Sequence, residues 1–147
     1  MPIEARIALL VTLVALAVGA GLYYRFSNGR SKRVAGGEQV DLKLLAATKD
    51  GKPVTRFGKK VTFLQFSSEF CSQCVATART FRELEEQSGD ILHIEVDVTH
   101  RLDLAKKFSI LQTPTTLVLD AQGRITSRIS GAARPQAVRD EIGMFEI

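Results

Sequence analysis

The sequence predicts an α/β fold: a mixed central sheet flanked by helices, preceded by one N-terminal transmembrane helix. Three observations carry this reading. An apolar, β-rich run at 61–66 (VTFLQF) is followed by a helical pattern at 72–87 and an alternating run at 92–98, which together make a β-α-β unit. Two short strand patterns, 115–119 and 125–129, flank the turn Asp120-Ala121-Gln122-Gly123 and lead into a helix opened by Pro135. Residues 7–22 contain no charged side chain.

That first run, IALLVTLVALAVGAGL, extends through Tyr23 and Tyr24 to 18 residues, or about 27 Å of helix, enough for the hydrocarbon core of a bilayer. The paired tyrosines suit the interface, and Arg25 can snorkel its charge to it. Residues 1–24 are therefore read as a membrane anchor, 25–37 as a basic, glycine-containing linker without packed structure, and 38–147 as the folded domain. The rival reading is a cleaved signal peptide, with Val18 and Ala20 as small residues before a cut; Glu4 offsets Arg6 in its charged region.

The charge of +4 resides in the first 37 residues, which carry five bases and one acid. The remaining 15 bases meet 15 acids, so the domain presents no net field for nucleic acid. With 45% hydrophobic and 24% charged residues, the chain is neither disordered nor low-complexity. Counted across the span, the bases favour the C-terminal side, and the positive-inside rule places the domain in the cytoplasm.

Taking the domain in order, residues 42–47 read as a short strand or helix, followed by turn chemistry at Asp50-Gly51 and Lys52-Pro53. The strand at 61–66 is apolar enough to be covered on both faces. The helix at 72–87 carries Val75, Ala78, Phe81 and Leu84 on one side and stops at Ser88-Gly89-Asp90. In the next strand Leu92, Ile94, Val96 and Val98 alternate with His93, Glu95 and Asp97, giving one polar face. His93 is thereby expected at the strand surface. A second helix near 102–108 leads to Thr113-Pro114 and the hairpin, and the last helix runs to about Phe145.

The chemistry lies in FSSEFCSQCVATARTF. Cys71 stands where a strand ends and a helix begins, and Cys74 one turn further in. Unpaired N–H groups and the positive end of the helix dipole stabilise a thiolate at Cys71, while Cys74 shares the face of Ala78 and Phe81 and points inward. An exposed attacking sulfur beside a sheltered second one suits capture and release of a mixed disulfide. A bridge closing so short a loop contributes little to stability. Two inert cysteines are the bland alternative. Zinc held by Cys71, Cys74, His93 and His100 is another, but the histidines stand seven apart on different elements, so no metal is expected.

These residues identify a resemblance to the thioredoxin family over 60–147: VTFLQFSSEFCSQC, HIEVDV, KKFSILQTPTTLVLD with AQGR, and SGAARPQAVRDEI. The resemblance implies a thioredoxin-like fold, catalytic Cys71 and Cys74, and a cis peptide at Pro114 lying against the pair. It further implies a substrate groove lined by Phe70, Thr113, Pro114 and Gly131, and no cofactor in the site. Three departures stand out. Phe70 occupies the place of the usual Trp, and Ser72-Gln73 that of the usual Gly-Pro, so the family's reduction potential does not transfer. Gln65 replaces the buried Asp that moves the second cysteine's proton, and an amide cannot accept a proton. Glu69, two residues before Cys71, is the candidate substitute for that transfer through water, with a solvated surface carboxylate as its plainer reading.

The leading expectation is a monomeric, membrane-tethered thiol–disulfide oxidoreductase facing the cytoplasm, acting on protein disulfides and supplied with electrons by a reductase. Its variant faces the outside and draws on a membrane electron donor. The alternative of another class is a redox-inactive interaction module that binds extended segments at Thr113-Pro114.

Overall fold

The computed structural model describes residues 1–145, so the last two residues assigned to the domain lie outside it. Helix α1 (Ile3–Ser27) buries none of its side chains against the rest of the chain. It is long and apolar enough to cross a membrane. Its C-terminal end is docked on the domain. Tyr24 Oη donates to Gln112 Oε1 (2.9 Å), Gln112 Nε2 donates to Asn28 Oδ1 (3.3 Å), and an Arg134 guanidinium N–H donates to the Arg25 carbonyl.

The segment expected to be an unstructured linker contains a strand, β1 (Ser31–Arg33), paired antiparallel with β7 (Ile125–Ser130). Three residues of basic, polar sequence carry no hydrophobic signal of their own; an open sheet edge and the docked end of α1 hold them extended. Of residues 42–47, for which the sequence allows a strand or a helix, Leu42–Leu45 form the single turn α2, N-capped by the Asp41 carboxylate, which accepts from the Lys43 N–H (2.9 Å). The turn residues that follow form a small hairpin, β2 (Thr48–Lys49) with β3 (Lys52–Pro53), closed by Gly51 at φ +77°.

The remaining elements are β4 (Val61–Ser67), α3 (Ser72–Gln87), β5 (Ile91–Asp97), α4 (Leu102–Lys107), β6 (Thr115–Leu119), β7 and α5 (Pro135–Met144). The main sheet has the order β1-β7-β6-β4-β5, with β4 and β5 parallel and the other pairs antiparallel. This is the mixed sheet that the β-α-β unit and the hairpin required. Strand β4 lies inside it and is buried throughout, which explains its unbroken apolar run.

Each face of the sheet builds its own core. Leu64, Phe66, Ile94, Val96, Leu117 and Leu119 pack with Leu45, Leu104 and Phe108 on one side. Val61, Phe63, Ile91, Val118 and Ile129 meet Phe81 of α3 and Val138 of α5 on the other. Phe63 and Phe81 stack with ring centroids 4.6 Å apart. Within α3 the buried residues are Cys74, Thr77, Ala78 and Phe81, whereas Val75 is exposed. The inward stripe is therefore rotated slightly from the one expected, and Val75 stands beside the cysteines at the surface.

Candidate functional site

Strand β4 delivers the chain to the site. Past Ser67 the backbone turns through Phe70 at φ +60°, a left-handed conformation costing a non-glycine residue on the order of 1–2 kcal/mol. The turn places Cys71 at the N-cap of α3 and leaves the Phe70 ring fully exposed beside it. Cys71 and Cys74 form a disulfide, their Cα atoms 5.2 Å apart. The Cys71 sulfur accepts the Cys74 N–H at 3.1 Å and lies 3.9 Å from Thr113 Oγ1, so two donors converge on it. Cys71 is half-buried and Cys74 is buried, the inside–outside asymmetry expected from the sequence.

The Thr113-Pro114 peptide is cis. Its loop is tied to the site from two sides: Thr113 Oγ1 and Ser68 Oγ share a hydrogen bond of 2.8 Å, and the Pro114 carbonyl accepts the Gly131 N–H at 2.8 Å. Gly131, at φ +82°, lies against the Asn28 side chain, so the segment leaving α1 also abuts this loop. Phe70 and Thr113 thus stand at the disulfide itself, and Pro114 and Gly131 join it through the Thr113 loop. Glu69 is turned elsewhere: its N–H donates to Thr99 Oγ1 (3.0 Å), and its exposed carboxylate lies 3.8 Å from His100 Nε2.

Beneath the pair lies a polar layer. Gln65, wholly buried, donates from Nε2 to the Cys74 carbonyl (2.9 Å) and to Ser67 Oγ (3.1 Å). Its Oε1 is 2.9 Å from His93 Nε2. His93 is not a surface residue: it is buried under α3, 5.5 Å from the Phe81 ring. Burial, reinforced by the charges of Lys49 and Arg82, lowers its pKa to about 3, so the imidazole is neutral near pH 7. The polar face of β5, expected to meet solvent, instead meets α3 at His93.

A groove of about 500 Å³ opens beside the disulfide, lined by Phe70, Cys71, Cys74, Arg82, Glu95 and Asp97 among others. Ser67, on its wall, donates to Glu95 Oε2 at 3.2 Å. Ser67 and Glu95 are not among the site residues expected from the sequence, and His93 figures there only as a rejected zinc ligand. The available signal was the alternation His93-Glu95-Asp97 combined with a crossover helix that had to cover one face of the sheet. Among the described residues, no three His, Cys, Asp or Glu side chains are gathered to hold a metal. His93 and His100 serve different partners.

Comparison with known proteins supplies an independent line. The family model described as Thioredoxin matches residues 49–143. Thioredoxin H9 of Arabidopsis thaliana is 30% identical over 111 residues, covering 76% of this chain and 73% of its own. Thioredoxin H2 of the same plant is 24% identical over 124 residues, 81% of this chain and 92% of its own. Among solved structures, thioredoxin F from spinach chloroplast (short form) superposes with a TM-score of 0.52 at 23% identity, covering 61% of this chain and 80% of that one. A thioredoxin of Fasciola hepatica does so with a TM-score of 0.51 at 22% identity, covering 60% and 83%. These superpositions speak for the fold.

Proposed function

This chain belongs to the thioredoxin family, whose members are thiol–disulfide oxidoreductases, and on that premise we propose that it is a membrane-tethered member exchanging disulfides with protein substrates through Cys71 and Cys74. The observation that carries the proposal is the asymmetry of the pair. The Cys71 sulfur sits at a helix N-terminus, where the Cys74 N–H and the Thr113 hydroxyl can stabilise negative charge on it, and Cys74 is sheltered behind it. In the reduced protein Cys71 is the nucleophile: its thiolate attacks a substrate disulfide, one substrate sulfur leaves, and a mixed disulfide remains. Cys74 then attacks Cys71, releases the second substrate sulfur and restores the Cys71–Cys74 disulfide. Phe70 and the Thr113-Pro114 edge, with Gly131 behind it, receive the extended substrate segment.

Helix α1 is the tether, in support of which it exposes an apolar run at 7–22 that is followed by two tyrosines and Arg25. The surplus of bases after the span supports a cytoplasmic domain, with a soluble reductase as electron source. A reporter enzyme active only outside the cytoplasm, fused to the C-terminus, is expected to be silent. Strong activity would place the domain on the other face and call for a membrane electron donor.

The deciding experiment is cysteine trapping. Cys71→Ser is expected to abolish disulfide reduction, whereas Cys74→Ser keeps the attack and accumulates mixed disulfides on non-reducing gels. Trapping by Cys71→Ser instead would exchange the two roles, and trapping by neither would favour a redox-inactive interaction module.

A further inference from the structure

Resolution of the mixed disulfide requires Cys74 to lose a proton as its sulfur joins Cys71. Gln65 cannot take it, since both its amide hydrogens are committed to oxygens and its own oxygen faces His93. His93, a neutral imidazole, is engaged by that oxygen and lies below Gln65 rather than in the groove. Glu69 is directed to His100.

Two carboxylates share the groove with Cys74. Asp97 is committed to the turn that follows β5, where its Oδ1 accepts the Thr99 N–H at 2.8 Å. Glu95 stands in register with Gln65 across the parallel pair β4–β5, so the two side chains leave the same face of the sheet as neighbours. Between them lies Ser67. Its oxygen accepts from Gln65 Nε2 at 3.1 Å, and its single hydrogen is directed to Glu95 Oε2 at 3.2 Å. The hydroxyl oxygen keeps capacity for one more donor. Glu95 itself is exposed at the open side of the groove, in reach of water.

We infer that Glu95 is the proton acceptor for Cys74, working through the Ser67 hydroxyl or a groove water, and that Gln65 is a positioning residue that orients that hydroxyl. The inference rests on the disulfide-exchange reading above. In the resolving step the Cys74 sulfur bonds to Cys71 and the bond from Cys71 to the substrate sulfur breaks. The bonding pair leaves on the substrate as a thiolate, and the Cys74 proton moves to Glu95. Glu95 then returns that proton to the departing thiolate, so the step is neutral overall. The Cys71–Cys74 dithiol has been oxidised by two electrons and the substrate disulfide reduced to two thiols. Oxidation of a substrate runs the same steps backwards. The other charged group on the groove is Arg82 of α3, a cation that favours the transient thiolate, with Asp97 opposing it.

The test follows a single turnover of the reduced full-length protein in detergent with a fluorogenic disulfide peptide, which separates attack by Cys71 from resolution by Cys74. Glu95→Gln is expected to leave attack within about twofold and to slow resolution about 100-fold at pH 7, the lower end of the span ascribed to general-base catalysis. Resolution in this variant should then rise with pH more steeply than in the unsubstituted protein. In Glu95→Ala, added imidazole buffer should restore resolution in proportion to its concentration, a response that a purely structural role would not produce. Unchanged resolution and pH slope in Glu95→Gln, or a larger loss in Asp97→Asn, would overturn the assignment. Absence of attack in the unsubstituted protein would instead remove the disulfide-exchange reading on which it rests, and the inference with it.

Discussion

Gln65 Oε1 lies 2.9 Å from Nε2 of His93, while Gln65 Nε2 holds the Cys74 carbonyl at 2.9 Å. Because the Gln65 amide hydrogens already serve the Cys74 carbonyl and Ser67, its oxygen must accept, and the neutral imidazole must carry its proton on Nε2. An amide and an uncharged ring satisfy each other without placing a charge under the active pair.

This arrangement makes stability depend on acid. The folded pKa of His93 is lowered to about 3 from 6.5, so the unfolded chain binds more protons between those values and stability falls as pH drops through them. The contribution is complete above pH 6.5. Relative to that, acidification to pH 5 should cost about 2 kcal/mol, rising to on the order of 4 kcal/mol near pH 3. Denaturant unfolding followed against pH checks this, and His93→Phe should flatten the curve over that window.

Gln65→Asp exchanges the amide for a shorter group with no donor. The hydrogen bonds to the Cys74 carbonyl and Ser67 are lost, and stability should fall by about 1–3 kcal/mol. The new carboxylate should take the Cys74 proton and speed resolution near neutrality. It should also draw the His93 pKa upward, since an opposite charge favours the protonated ring. Stopped-flow resolution rates and NMR titration of His93 report the two effects separately.

Gly131→Ala forces a side chain into a left-handed position at φ +82° and against the Asn28 amide, with an expected cost of about 1–2 kcal/mol. Since the Gly131 N–H holds the Pro114 carbonyl, substrate reduction should weaken as well. Thermal melts and the KM for a disulfide peptide measure both.

Removal of residues 1–24 takes away a helix that buries no side chain and, of the contacts docking its end, the Tyr24–Gln112 hydrogen bond. The remainder should partition into the aqueous phase, keep its disulfide exchange, and change its Tm by less than about 5 °C. A melt in detergent of the intact and shortened chains, with phase separation, makes the comparison.

What depends on local pattern is legible in the sequence: the apolar helix, the buried strand ahead of Cys71 and the helix behind it. Each follows from hydrophobic period or from chain-breaking residues. The tertiary structure alone decided that Ser31–Arg33 completes a sheet edge, that Tyr24 docks on Gln112, and that His93 is buried while Glu95, two residues on, is exposed at the groove. The alternation in β5 marks His93, Glu95 and Asp97 as one face, but an alternating pattern carries no record of what covers that face. Helix α3 crosses it over His93 and leaves Glu95 at the groove, and that boundary is set by how the helix packs on the sheet, a long-range fit that no local period encodes.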